Sequence, residues 1–324
     1  VTLSQLRYVV SVARHLSFGR AAQECGIAQP SLSVQIKNLE EEIGTPLFDR
    51  NQKGVRLTEL GEQILKQAHV ILSEVDRLGE IATDHQKVVH GTLRLGIIPT
   101  IAPYLTPYFI SALIKQYPEL EVKVFEQTTA ELVRDLGDGR LDAAILSTPE
   151  KVSYDLIERV LYYEPFVLFA HAKHHFLESV QVKTSRLQEE SPLLLDETHC
   201  LRDQVEGICH TKKLSPSQVQ LEQGTLQTLL TLVDQQPAYT LLPILAAEAL
   251  TPEQRKKQVR ALVGPVPNRK VSLVFNKSYV KRSLVEALER VILEHLPDVV
   301  ENRLKSKMNV LNPSQKRFKI PPST

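Results

Sequence analysis

The sequence predicts a mixed α/β protein of more than one domain: a small helical head, one long helix, and a larger part built on a covered parallel sheet. Three observations predict it. Apolar residues recur at helical spacing through the first 57 residues, one amphipathic stripe runs from Thr58 to about Val89, and strand-like and helix-like segments alternate beyond Gly91. The length of 324 residues exceeds one ordinary small domain. No stretch approaches ~20 uninterrupted apolar residues, so no transmembrane helix and no membrane partner are expected. The segment Val1 to Arg7 has no charged start followed by an apolar block, which argues against a secretory signal. Three cysteines are too few for a disulfide framework, and a reducing cytoplasm fits best. A net charge of +1 leaves a nucleic-acid partner to be decided by where the charges lie.

In the head, Leu6, Val9, Val10, Val12 and Ala13 share a helical face. Ser17 is a suitable N-cap for a second helix carrying Phe18, Ala21, Ala22 and Cys25, and Gly26 stops it. Cys25 reads as a small core residue. Gln29-Pro30-Ser31 begins a third helix, with proline at an early position where a missing N–H costs little. That helix buries Leu32, Ile36 and Leu39 and leaves Ser31, Ser33, Gln35 and Lys37 toward solvent. Gly44-Thr45-Pro46 ends it, and a hairpin-like stretch from Leu47 to Leu57 follows with Arg50, Lys53 and Arg56 around a polar turn. The long helix carries Leu60, Ile64, Ala68, Ile71, Val75, Leu78 and Ala82. Such a stripe cannot be buried by one helix alone, so a second copy of the chain is expected beside it.

After Gly91 the order is strand (92–98), helix (104–117), strand (120–126), helix (130–136) and strand (141–146), which implies parallel strands covered on both faces. Further strands are expected near 166–170, 193–195, 240–242 and 271–275. The tail from Asn302 has six basic residues, no acidic ones and Pro321-Pro322, so it reads as a disordered basic tail.

Two short helices joined by a turn at Gly26 match a helix-turn-helix layout. A recognition helix needs small polar and basic side chains near its start, and Ser31, Ser33, Gln35 and Lys37 have that chemistry. Arg50, Lys53 and Arg56 would sit on phosphates as a wing. Residues 1–57 carry seven basic and five acidic side chains, and the acids Glu40, Glu41 and Glu42 lie at the far end of the third helix. On this pattern alone, double-stranded DNA and a protein partner both remain open.

The second constellation is His199-Cys200 to Cys209-His210. Nine positions span about 13 Å in a helix or about 30 Å in a strand. A disulfide needs Cα atoms within about 7 Å, so the two sulfurs can join only if the chain between them folds back. Gly207 makes that easier. A helix capped by Asp196 or Thr198 would put Cys200 at its N-terminal end, where the dipole favours thiolate, and His199 and Arg202 would add positive charge if turned toward it. Cys200 would then be the peroxidatic thiol and Cys209 the resolving one. Two inert core cysteines, a zinc site from the two His/Cys pairs, and a structural disulfide are the alternatives. His171, His174 and His175 form a further histidine group, read as a solvated loop rather than a metal site.

Phe18-Gly19-Arg20-Ala21-Ala22, the run from Gln29 to Glu40, and Leu47-Phe48-Asp49-Arg50 closely resemble the winged helix-turn-helix of LysR-type regulators. Leu57-Thr58 followed by Gly61 resembles the start of that family's linker helix. The resemblance covers about 300 residues. It implies a winged helix-turn-helix DNA-binding domain at 1–57, with Gln29, Pro30, Ser31, Ser33, Gln35, Lys37, Arg50 and Lys53 as its DNA-contacting set. A linker and dimerisation helix follows at 58–90. A periplasmic-binding-protein-like α/β regulatory domain occupies 91–302, with subdomain I at about 91–162 and 269–302 and subdomain II at about 163–268.

Thr198-His199-Cys200-Leu201-Arg202-Asp203-Gln204 is similar to the Gly-His-Cys-Leu-Arg-Asp-Gln signature of the family's OxyR-like group, with Thr198 where the signature has glycine. The cysteine spacing, Ile98-Pro99-Thr100, Pro103-Tyr104-Leu105 and Gln127-Thr128-Thr129 also match, and Arg269-Lys270 resembles a basic pair of the group. The resemblance implies a hydrogen peroxide pocket of Thr100, Thr129 and His199 around Cys200, with Arg202 and Asp203 beside it. It implies a reversible Cys200–Cys209 disulfide controlling oxidative-stress genes, with no cofactor, no metal and no turnover. Homodimers or homotetramers, RNA polymerase, and glutaredoxin or thioredoxin as reductant are the partners it implies. The rival readings are a LysR-type regulator answering to a small organic effector, a thiol peroxidase, and a zinc-dependent regulator.

Overall fold

The computed structural model describes residues 1–51, 54–84, 89–147, 156–209, 224–276 and 282–302. Lys53, His210 and the basic tail from 303 onward lie outside these. The chain divides into two compact units, the first holding the helical head and the long helix.

In the first unit α1 (Leu3–His15) is closed at its start by a capping box between Thr2 and Gln5. The Ser17 hydroxyl caps α2 (Phe18–Glu24) by accepting from Arg20 N. Gly26 and Gly44 take the left-handed φ that ends α2 and then α3 (Gln29–Ile43). Val9, Val12, Phe18, Ala21, Leu32, Ile36, Leu39, Leu47 and Phe48 form one core, and Cys25 packs at its margin. Strands β1 (Phe48–Asn51) and β2 (Gly54–Leu57) pair antiparallel, with Asp49 opposite Arg56 and Arg50 opposite Val55. Glu40 fastens this hairpin to α3, its Oε1 accepting from Leu47 N at 2.7 Å and Phe48 N at 3.1 Å. The Thr58 hydroxyl accepts from Gly61 N and so caps α4 (Glu59–Asp84). Ala68 of α4 is buried, and Ile71, Leu72 and Val75 are only half-covered.

The second unit begins with the expected alternation: β3 (Gly91–Ile97), α5 (Ala102–Gln116), β4 (Leu120–Glu126), α6 (Thr129–Gly137) and β5 (Ala143–Ser147). β3 pairs parallel with both β4 and β5. Gly96 lets α6 close on the sheet, because a Cβ there would lie 2.3 Å from Leu132 and 2.7 Å from Leu141. Next comes β6 (Leu156–Ala170), fifteen residues where sequence patterning marks only the last five. Its first part pairs with β10 (Asn268–Asn276), and its last part pairs with β8 (Tyr239–Pro243) and β9 (Val259–Val263). β10 runs antiparallel to β5 as well, so the sheet is mixed. Two short strands, β7 (Gln181–Lys183) on β9 and β11 (Glu301–Asn302) on β6, complete it.

The remaining helices are α7 (Cys200–Cys209), α8 (Leu226–Gln235), α9 (Ile244–Glu248), α10 (Pro252–Gln258) and α11 (Arg282–His295). Two apolar clusters form. One gathers β3, β4, β5, α5 and α11 with the Tyr162 end of β6, and the other gathers Phe166 to Ala170 with α7, α8 and β8. One expectation fails. Leu193 to Leu195 is not a strand, because Leu193 shares a single backbone bond with Tyr239 (N to O, 2.8 Å) before the chain turns away at Asp196. The Thr240 hydroxyl holds the other side of that residue by donating to Leu193 O at 2.9 Å.

Candidate functional site

The site forms where several helices of the second unit begin. Cys200 is the first residue of α7, Thr129 the first of α6, and Thr100 lies in the turn before α5. Peptide N–H groups at helix starts carry partial positive charge, which suits a reacting centre that gains negative charge. At their middle is Arg269 of β10, 1% exposed, facing its register neighbour Glu164 of β6, 0% exposed. Arg269 Nε donates to Glu164 Oε2 at 2.7 Å, and its terminal nitrogens donate to Thr100 Oγ1 at 3.2 Å and Thr100 O at 3.1 Å. Glu164 Oε1 accepts from Leu245 N, at the start of α9, at 2.9 Å. Every charge of this pair is answered, as burial demands.

Burial pushes the Cys200 thiol above its ordinary pKa, with Arg269 and Thr129 working against the rise and Asp203 adding to it. This burial opposes the thiolate that the start of α7 favours. A helix terminus supplies about 0.3–1 kcal/mol toward the thiolate, against the loss of solvent around a half-buried thiol. The Thr129 hydroxyl is buried, acts on the Cys200 sulfur in the thiolate's favour, and has no other partner among the described residues. Tyr104 lies near the same guanidinium, its phenol pushed up by burial and opposed by Arg269. Tyr162, fully buried, is pushed well up by burial and by Glu164, and its hydroxyl has no partner among the described residues.

The other predicted residues are placed less directly. His199 pairs with Asp196, Nε2 to Oδ2 at 3.7 Å. Arg202 turns elsewhere, its guanidinium donating to Leu195 O at 2.9 Å and pairing with Glu206 at 3.1 Å, so the charge felt by Cys200 is that of Arg269. Asp196 caps the turn before α7, accepting from Thr198 N at 2.9 Å and from the Thr198 hydroxyl. Thr198 is not among the residues with positive φ, so its position does not require glycine. Gln204 moors α7 to the sheet, Nε2 donating to Ser147 Oγ at 2.7 Å.

Cys209 ends α7 in the second apolar cluster, whereas Cys200 packs against the first. Both are free thiols. Nine helical steps separate them by about 13 Å, far beyond bonding reach. Burial pushes Cys209 up to about 12, with Tyr239 opposing. Near it, His174 and His175 flank the Glu190 carboxylate at 3.3 and 3.2 Å, so this histidine group is partly buried rather than solvated. His174 Nδ1 accepts from Phe176 N at 3.2 Å, which leaves the proton of the neutral ring on Nε2, toward Glu190.

In the head, Gln29, Pro30, Ser31, Gln35 and Lys37 are exposed and Ser33 is half-exposed. Gln35 leans to one flank, 3.5 Å from Gln5, and Lys37 pairs with Glu41 at 3.5 Å. Val34 and Asn38 also stand on the outer face opposite Leu32, Ile36 and Leu39, with Val34 54% exposed.

Residues 3–62 match the bacterial regulatory helix-turn-helix family of the LysR type, and residues 86–297 match the LysR substrate-binding domain. The chain is 34% identical over 308 residues to a hydrogen peroxide-inducible genes activator of Pectobacterium carotovorum, covering 94% of this chain and 100% of the relative. A full-length OxyR cysteine variant from Pseudomonas aeruginosa superposes with a TM-score of 0.77 at 33% identity, over 92% of this chain and 99% of that one. A peroxide-bound OxyR cysteine mutant from Corynebacterium glutamicum gives 0.59 at 30% identity, over 91% and 94%. The chain belongs to the LysR family of transcriptional regulators, in its group of hydrogen peroxide-inducible activators.

Proposed function

We propose that this protein is a cytoplasmic DNA-binding regulator of oxidative-stress genes that senses hydrogen peroxide at Cys200 and is switched by a reversible Cys200–Cys209 disulfide. The observation that carries the reading is the buried Thr129 hydroxyl set on the half-buried Cys200 thiol, next to Arg269 and Thr100. In the first step the Cys200 sulfur, its proton lost, attacks one peroxide oxygen, the O–O bond breaks, and hydroxide leaves. Thr129, Thr100 and the helix N-termini supply donors where that charge develops, with His199 at the rim. In the second step the Cys209 sulfur attacks the Cys200 sulfenic acid, the S–S bond forms, and water leaves. Helix α7 cannot survive this intact, and its rearrangement is the signal.

On DNA, the outer face of α3 reads the major groove. Gln29, Ser31, Ser33, Val34 and Lys37 are in reach of bases or phosphates, and Arg50 and Lys53 serve as wing contacts. Dimers form along α4, and tetramers through the regulatory domains set the half-site spacing. RNA polymerase is the partner of the active form, and glutaredoxin or thioredoxin resets the switch.

The test is mass spectrometry of thiol-blocked, digested protein before and after one equivalent of hydrogen peroxide, followed by promoter binding in both states. A Cys200–Cys209 linked peptide should appear only after treatment and vanish in Cys200→Ser. Two free thiols after peroxide would sink the sensing mechanism.

A further inference from the structure

Tyr239 of β8 is 0% exposed and sets its hydroxyl against Cys209. Its hydroxyl has one proton and three acceptors around it: Leu187 O at 2.7 Å, Glu190 O at 2.9 Å and Cys209 Sγ at 3.7 Å. The two carbonyls belong to the turn beneath the C-terminal end of α7. One phenol thus bolts that turn and the cysteine to the same strand. The ring itself is held edge-on by Phe176 at 5.1 Å and by His174 at 5.7 Å. The His174 side chain in turn faces the carboxylate of Glu190, whose own carbonyl the phenol holds. The seat of Cys209 is therefore a closed, multiply braced pocket.

From this seat Cys209 cannot attack. Its sulfur is about 13 Å from Cys200 along an intact helix, and burial keeps its proton on. The seat must open before the second step. Contacts that exist only in the closed seat hold that opening back.

We propose that Tyr239 is a positioning residue that holds the resolving thiol in its reduced seat and so sets how long the Cys200 sulfenic acid lives before the disulfide forms. This rests on the reading of Cys209 as the resolving residue. The balance of the step is unchanged: the sulfenic acid and the thiol give disulfide and water. Tyr239 acts only on how often the thiol is released.

Tyr239→Phe removes one oxygen and keeps the ring packing, and near-UV circular dichroism checks the fold. The control is Thr240→Val on the same strand, which also loses a buried hydroxyl but touches neither Cys209 nor its turn at 187–190. Two rates are read in the full chain. The first is alkylation of Cys209 by iodoacetamide in a Cys200→Ser background, followed peptide by peptide. The second is decay of the Cys200 sulfenic acid, trapped with dimedone. A net hydrogen bond is worth a factor of about five to ten, so Tyr239→Phe should speed both rates by that much, with peroxide oxidation of Cys200 unchanged and Thr240→Val near the parent.

Equal alkylation rates in parent and Tyr239→Phe would overturn the proposal, as would an equal acceleration by Thr240→Val. A parent chain that forms sulfenic acid but never the disulfide would instead overturn the resolving role of Cys209. The alkylation rates would then still decide whether Tyr239 holds the seat.

Discussion

Thr129 offers a direct test of how the pocket works. Its hydroxyl acts on the Cys200 sulfur and has no other partner among the described residues, so Thr129→Val removes that one donor. If that donor meets the developing hydroxide, oxidation of Cys200 should slow by about ten- to a hundredfold, toward the cost of losing a preorganised donor, with thermal stability close to the parent. Stopped-flow oxidation of a Cys209→Ser chain measures it, and an unchanged rate would remove Thr129 from the chemistry. At this scale the sequence was legible wherever a side chain lies in a short motif, as with Thr100, Thr129 and Cys200. Arg269 was visible only as half of a basic pair, and its contact with Thr100 joins positions 169 apart through sheet register. Glu164 and Tyr162 join the site by the same pairing of β6 with β10, which no local pattern reveals.

Helix α7 carries a weakness that can be adjusted. Gly207 is exposed, does not have positive φ, and a Cβ built on it would meet nothing within 4 Å. Alanine there should favour the helix by about 1 kcal/mol. The reduced state alone keeps the full helix, so Gly207→Ala should raise the reduction potential of the Cys200–Cys209 pair by about 20 mV. Equilibration against glutathione buffers measures the shift, and an unchanged potential would mean that the rearrangement stops short of Gly207. Sequence left the helicity of 201–208 conditional, since a segment carrying glycine between two cysteines has weak intrinsic preference. Tertiary burial of Leu201, Val205 and Ile208 decides it. The lone backbone bond of Leu193 shows the reverse case, in which an apolar run suited to a strand has no neighbour to extend a ladder.

For the whole molecule, the dimer proposed above rests on α4. Its stripe was legible from sequence as an apolar face too long for one helix, and Ile71, Leu72 and Val75 remain half-covered within a single chain. Ile71→Glu should shift the protein toward a single-chain mass in light scattering and weaken promoter binding by at least about tenfold, as paired half-sites lose their avidity. A chain that keeps its assembled mass with glutamate there would move the dimer contact elsewhere. The alternation of the larger domain was equally legible, because parallel strands advertise themselves by their helical crossovers. Its antiparallel half was not, since β6 threads both apolar clusters and its first ten residues show no simple period. One consequence follows from the two sulfurs ending a single helix in two different apolar clusters. Joining the sulfurs costs helical hydrogen bonds of α7 and draws at least one sulfur out of the cluster it packs in.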